Sequence, residues 1–136
     1  MPVRPATPAD RDRLAAVQAT LAEPAPDLLA AALDGDALTA LVVTDGGVVV
    51  GYALVVPGPQ AAYLAELVVA PAHRGEGHGS ALLSAVLDRA GTVRVVVRAA
   101  DERARRFYEA RGFEVRERLP DRFAAGDGLL LVRDGE

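Results

Sequence analysis

Apolar residues at Leu82, Leu83, Val86, Leu87 and Ala90 repeat at intervals of three and four, the spacing that lines one helix face. The pattern predicts a helix that opens near Ser80 and is ended by Gly91. Elsewhere the period shortens. Ala40 to Thr44 and Val48 to Val56 are β-branched runs around Asp45-Gly46-Gly47, which predicts a hairpin because glycines accept the positive φ of a tight turn. Val3-Arg4 starts an earlier strand. Thr7-Pro8-Ala9-Asp10 reads as a helix start, with Leu14, Val17 and Leu21 following on one face. A second helix is predicted from Pro26, turning Leu29 and Leu33 inward and stopping at Asp34-Gly35. Tyr63 to Val69 reads as a strand closed by Pro71, which cannot extend a ladder. Val93 to Arg98 follows as a strand, Glu102 to Arg111 as a helix closed by Gly112, then strands over Phe113 to Arg118 and Gly128 to Arg133. Early hairpins exclude a purely parallel sheet, so the expected class is α/β in the broad sense, a mixed α+β sheet sandwich.

Composition sharpens this picture. With 136 residues, 51% hydrophobic and 25% charged, the chain suits one domain over residues 1–136. A net charge of −4 argues against nucleic acid as a partner, since phosphate neutralisation calls for basic excess. The absence of cysteine excludes disulfides, thiolate metal sites and a cysteine nucleophile. Every basic residue is arginine, which excludes lysine Schiff-base chemistry and a Walker-type phosphate loop. Met1-Pro2-Val3-Arg4-Pro5 lacks the apolar stretch of a signal peptide, and no run approaches the roughly 18 apolar residues of a membrane helix. A cytoplasmic chain with no membrane partner is expected.

Candidate chemistry concentrates after the strand that ends at Val69. Residues 71–80 read P-A-H-R-G-E-G-H-G-S, with glycine at every second position before the predicted helix. A helix N-terminus presents unpaired amides and partial positive charge, so an anion there is stabilised without lysine. Gly75, Gly77 and Gly79 leave those amides accessible and tolerate the dihedrals of an anion nest, and Arg74 adds a charged donor. A pyrophosphate fits such a loop; a merely tight strand-to-helix turn would look the same in sequence. The spacing is G-x-G-x-G rather than the dinucleotide G-x-G-x-x-G, which disfavours a nucleotide cofactor of that type.

The stretch Leu67-Val68-Val69-Ala70-Pro71-Ala72-His73-Arg74-Gly75-Glu76-Gly77-His78-Gly79 resembles the acyl-coenzyme A motif of the GNAT superfamily of N-acetyltransferases, R/Q-x-x-G-x-G/A preceded by V-x-P. Downstream, Asp101 to Phe113 (D-E-R-A-R-R-F-Y-E-A-R-G-F) resembles the second motif, N-x-x-A-x-x-F/L-Y-x-x-x-G-F. Two motifs in the family's order are more specific than either alone. The departure is Asp101 where the family usually has asparagine. The resemblance implies a central, mostly antiparallel mixed sheet of six to seven strands flanked by about four helices. It also implies acetyl-coenzyme A as cosubstrate, direct transfer to a primary amine, and dimerisation as a common habit of relatives.

Site roles follow from the same resemblance. The backbones of Leu67, Val68 and Val69 would pair with the thioester carbonyl and pantetheine arm, acting as oxyanion donors while the side chains serve the core. Arg74, Gly75, Glu76, Gly77, His78, Gly79 and Ser80 would form the coenzyme loop, with Asp101 and Tyr108 as further contacts. Tyr108 matches the general-acid position for the departing thiolate and, with an ordinary pKa near 10, holds its proton at neutral pH. Phe107 beside it is expected to face the core, and the alternative for Tyr108 is amphipathic packing with its hydroxyl at the surface. Glu66 is the candidate base, either taking the acceptor's proton through water or holding the cation; the alternative is a solvated residue on the sheet's exposed face. The E-V-R-A-S-N segment of relatives that acetylate ribosomal-protein N-termini reads Val96-Val97-Arg98-Ala99-Ala100-Asp101 here, without its glutamate, so that mechanism does not carry over.

Lesser signals complete the reading. His73 and His78 flank Glu76 and invite a metal, but a third ligand is missing, so none is expected; His73 is expected on a surface loop and His78 exposed in the first helical turn. Arg103, Arg105, Arg106 and Arg111 read as a solvated helix face with ion pairs to Glu102 and Glu109, a coenzyme phosphate being the alternative. Leu14 to Leu33 and Leu119 to Gly128 are expected to recognise the acceptor. The competing function is a non-catalytic acyl-coenzyme A sensor that regulates a protein partner; Tyr108 and Glu66 favour catalysis.

Overall fold

A computed structural model describes residues 2–21, 24–124 and 126–135. The strands are β1 (Val3–Pro5), β2 (Thr39–Asp45), β3 (Val48–Val56), β4 (Ala62–Val69), β5 (Val93–Arg98), β6 (Glu114–Phe123) and β7 (Gly126–Arg133). The helices are α1 (Arg11–Gln18), α2 (Pro26–Asp34), α3 (His78–Arg89) and α4 (Glu102–Glu109), with short 3₁₀ turns at Pro8–Asp10 and Pro71–His73. The sheet order is β1-β2-β3-β4-β5-β7-β6; β1 with β2, β2 with β3, β5 with β7 and β6 with β7 pair antiparallel, and β4 with β5 parallel. Among the described residues this is the expected mixed, mostly antiparallel sheet of seven strands with four helices. No helix among the described residues is long and apolar enough to cross a membrane. The chain packs as two compact units, Met1–Pro57 with Ala65–Arg89, and Gly58–Leu64 with Ala90–Glu136.

In the first unit, β2 and β3 form the predicted hairpin. Asp45 pairs with Val48 across Gly46 and Gly47, whose φ of 59° and 82° only glycine adopts without strain. Leu14 and Val17 of α1 and Leu29 of α2 pack on Ala40, Val42, Tyr52 and Leu54. Strand alternation turns Leu41, Val43 and Ala53 to the opposite face, against which α3 lays Leu82, Leu83 and Val86. A register shift between Val43 and Thr44 breaks the alternation, so Val49 shares a core cluster with Tyr52 although they differ in parity. Arg13 Nε donates to the Val49 carbonyl at 2.8 Å and pins α1 to that bulge. The Thr7 start is as read: the Thr7 amide donates to Asp10 Oδ2 at 2.8 Å, and Arg4 forks onto both Asp10 oxygens at 2.8 and 3.0 Å.

In the second unit, β5 pairs with β7 along its whole length, Val93 to Arg98. Its parallel ladder with β4 covers only Ala62–Leu64 against Val93–Val95. β6 runs to Phe123, beyond the Arg118 that sequence suggested, because β7 starts at Gly126 and keeps pairing it. Leu119 to Gly128, expected to recognise the acceptor, is therefore mostly hairpin strand among its described residues. Two of the positions assigned to acceptor recognition in the first half, Ala22 and Glu23, and Ala125 in this one, lie outside the described residues. β6 ends the strand order and is charged and almost wholly exposed, which blunts it against pairing with another chain.

Candidate active site

The glycine loop begins where β4 stops. Pro71–His73 makes a 3₁₀ turn, with the His73 amide donating to the Ala70 carbonyl at 2.9 Å. Gly75 and Gly77 follow at φ of 80° and 89°, and α3 opens at His78. A side chain at either glycine would be strained, so the glycines are needed for backbone conformation and not only for room. Arg74 Nε donates to the Val69 carbonyl at 3.1 Å, which closes the loop onto the end of β4 while leaving its guanidinium exposed. Helix α3 starts two residues before the Ser80 expected from its apolar repeat. His78 is 4% exposed, which overturns its placement as an exposed member of the first turn; its Nε2 lies 3.3 Å from Glu76 Oε1. Any contact Glu76 and His78 make with a coenzyme in this loop falls to their backbones, since their side chains turn to each other.

On β4 burial alternates strictly from Ala62 to Val69, and Glu66 falls on a buried position at 7% exposure. The solvated alternative is therefore wrong. Tyr52 Oη donates to Glu66 Oε1 at 2.7 Å, Gln18 Nε2 donates to the same oxygen at 3.0 Å, and the Ala25 amide donates to Oε2 at 2.8 Å. An ionisable group without such partners would be strongly disfavoured there. The donors come from β3, the last residue of α1 and the residue before α2, so Glu66 fastens both helix ends to the sheet. Burial, and then the hydrogen bond to Glu66, push the Tyr52 hydroxyl well above its ordinary range. Sequence reasoning missed Tyr52 and Gln18. Two signals were available: a phenol in an otherwise apolar strand needs a partner, and Gln18 sits four residues after Leu14 on the apolar face of α1.

Tyr108 lies on α4 in the second unit and is 6% exposed. Its ring packs edge-on against Phe113, centroids 5.2 Å apart. Phe107 is only half-buried, with the Arg111 guanidinium 3.8 Å above its ring. Phe107, expected to face the core, is thus the flank, and the surface alternative for Tyr108 is wrong because its side chain is buried. Burial first, then the charges of Asp101 and Tyr63, raise the Tyr108 hydroxyl well above its ordinary value, so it keeps its proton throughout the neutral range. Asp101 caps α4, accepting from the Ala104 amide at 3.0 Å. The arginine face has the expected ion pairs, Arg105 with Glu109 at 3.3 Å and Arg106 with Glu102 at 3.4 Å. A cleft of about 770 Å³ beside Asp101 is lined by Arg98 and Arg118 among others.

Comparison with known proteins gives a family and a fold. The model of the "Acetyltransferase (GNAT) family" matches residues 9–113, well over half of the chain. A mycothiol acetyltransferase of Kineococcus radiotolerans is 50% identical over 54 residues, 38% of this chain and 18% of its own length. The chain thus spans under a fifth of that curated relative. Among solved structures, the ribosomal-protein-S18-alanine N-acetyltransferase of Escherichia coli superposes with TM-score 0.89 at 19% identity, over 99% of this chain and 94% of that one. Arabidopsis thaliana NAA60 in complex with acetyl-CoA superposes with TM-score 0.85 at 18% identity, over 98% and 97%. At such identities the structural likeness speaks for the fold.

Proposed function

Because the chain belongs to the acetyltransferase (GNAT) family, we propose that it acts as one domain over residues 1–136 and transfers the acetyl group of acetyl-coenzyme A directly to a primary amine. The observation that carries this reading is the β4–loop–α3 passage, where Gly75 and Gly77 at positive φ lead the backbone into a helix start. Amides arranged so stabilise a diphosphate through hydrogen bonds and the helix field. The backbones of Leu67, Val68 and Val69 receive the pantetheine arm and the thioester oxygen, while Arg74 and residues 75–80 hold the diphosphate.

In the reaction the neutral amine nitrogen attacks the thioester carbonyl, and the C–N bond forms as negative charge moves to oxygen. A backbone amide aimed at that oxygen contributes about 3–4 kcal/mol to the barrier reduction. The intermediate then collapses, the C–S bond breaks, Tyr108 gives its proton to the departing thiolate, and the proton that the attacking nitrogen sheds as the amide forms passes through water to restore the Tyr108 hydroxyl. Its protonated state is secured by burial. The amine arrives largely as ammonium, and losing that proton costs roughly 4–5 kcal/mol for a lysine-like group but only about 1 kcal/mol for an α-amino group. Glu66 serves on the acceptor side. With its oxygens already accepting from Tyr52, Gln18 and Ala25, it acts by placing α1 and α2 and by supplying negative charge for a cationic acceptor, not as a free base. The proton leaves through water.

The test is thiol release from acetyl-coenzyme A by the purified chain across a panel of small amines and peptides with free α-amino groups. Amine-dependent release, with the acetylated product identified by mass, supports the reading. Coenzyme binding without turnover on any amine, together with a co-purifying partner, refutes it in favour of a sensor.

A further inference from the structure

Two histidines and two carboxylates from separate parts of the first unit converge beside the glycine loop. Asp45 ends β2 at the hairpin turn, His73 ends the 3₁₀ turn after β4, Glu76 lies within the loop, and His78 opens α3. One ligand-type atom from each lies within 4.8 Å of the others. His73 Nδ1 is 3.5 Å from Glu76 Oε1 and 3.8 Å from Asp45 Oδ2. His78 Nε2 is 3.3 Å from Glu76 Oε1 and 4.0 Å from Asp45 Oδ2. Ligands about 2.0–2.1 Å from a tetrahedral Zn²⁺ stand about 3.3–3.4 Å from one another. The shortest observed separation, 3.3 Å, already has that value, and the four atoms, all within 4.8 Å of one another, close the rest by side-chain rotation of the exposed Asp45 and Glu76.

The sequence lacked a third ligand for His73 and His78; Asp45 supplies it from about thirty residues away along a different strand, with Glu76 as the fourth. We infer that Asp45, His73, Glu76 and His78 bind one divalent transition cation of the zinc class, which clamps the β2–β3 turn to the loop before α3. Imidazole excludes the hard cations Mg²⁺ and Ca²⁺ as preferred ligands, and two carboxylates balance a divalent charge. A second observation points the same way. His78 is a ring only 4% exposed whose Nε2 faces both carboxylates. The two imidazoles meet edge to face at 71°, as ligands approaching one centre from different sides do. An open cleft of about 390 Å³, lined by Thr44, Asp45, Gly46, Glu76 and His78 among others, admits the ion.

Four protein ligands make a closed site, structural in kind. Coordination through His78 Nε2 leaves the ring proton on Nδ1 without an acceptor, which weakens the site roughly 10–100-fold relative to one with that bond made. The site uses the side chains of Glu76 and His78, whose backbones belong to the proposed coenzyme loop, and its four ligands are complete without a coenzyme.

The experiment titrates Co²⁺ into the untagged, chelator-treated full chain and follows visible absorption. Intense tetrahedral bands saturating at one equivalent, displaced by Zn²⁺, are expected. Asp45 and Glu76 have exposed side chains, so Asp45→Asn and Glu76→Gln keep the fold; each is expected to weaken Co²⁺ binding at least tenfold and to lose the rise in melting midpoint that Zn²⁺ gives the parent. His78→Asn tests the buried ligand, with circular dichroism confirming its fold. Absence of the Co²⁺ bands, or bands and Zn²⁺ stabilisation unchanged in both Asp45→Asn and Glu76→Gln, overturns the site.

Discussion

Replacing Glu66 by glutamine separates its structural work from chemistry. The glutamine amide keeps one carbonyl oxygen. Turned toward Tyr52 and Gln18, that oxygen preserves two of the three bonds, but the NH₂ then meets the Ala25 N–H, donor against donor. Turned the other way, it meets two donors. Losing one bond to a charged acceptor costs about 1.5–3 kcal/mol, and the two survivors lose their charge assistance, while relief from burying a charge offsets part of this. The expected net loss is about 2–4 kcal/mol, a fall in melting midpoint of roughly 6–15 °C for a chain of this size. Tyr52→Phe removes one donor and is expected to lose about 1–2 kcal/mol. The double variant should lose about 1 kcal/mol less than the sum, because the two share one bond. Urea and thermal unfolding followed by circular dichroism read all four proteins, and turnover well below every midpoint reads catalysis separately. A Glu66→Gln midpoint within about 2 °C of the parent, or strict additivity with Tyr52→Phe, would refute the account of Glu66 as the fastening between α1, α2 and the sheet.

Three further outcomes are expected. Tyr108→Phe should lower kcat roughly 10²–10⁴-fold, with acetyl-coenzyme A affinity by calorimetry changed much less; equal loss of both, or none, removes it as the acid. Asp10 is held at a pKa of about 2 by the Arg4 fork, so its contribution to stability, roughly 1–2 kcal/mol, is full above pH 4 and lost as pH falls towards 2. Urea midpoints of parent and Asp10→Asn should differ at pH 6 and converge near pH 2; a constant gap contradicts the ion pair as its source. Gly51→Ala should destabilise by about 1–3 kcal/mol, because a Cβ there would lie 2.6 Å from the Val68 carbonyl oxygen and 3.3 Å from Val69 Cα, both backbone atoms of β4. An unchanged thermal midpoint would show that β3 and β4 part more easily than this approach implies.

Features set by near neighbours were legible in the chain itself. Pro26 opened α2, Gly46-Gly47 made the β2–β3 turn, and Gly75 and Gly77 shaped the loop, because a ring that fixes φ or a missing Cβ acts on its own residue. The two motifs were legible for the same reason, being continuous stretches whose residue types are demanded by local backbone and helix ends. Positions that depend on what packs against them were not. Phe107 and Tyr108 are adjacent aromatics, and only Phe113 and Arg111 decided which entered the core. β6 extended past Arg118 because β7 was there to pair with it. Glu66 was visible as a carboxylate on a strand, yet its three donors arrive from residues 18, 25 and 52, and Asp45 reaches His73, Glu76 and His78 only across the folded sheet. Backbone preference is written residue by residue, whereas burial, hydrogen-bond partnership and ligand sets belong to groups that sequence separates and packing alone brings within a few ångströms.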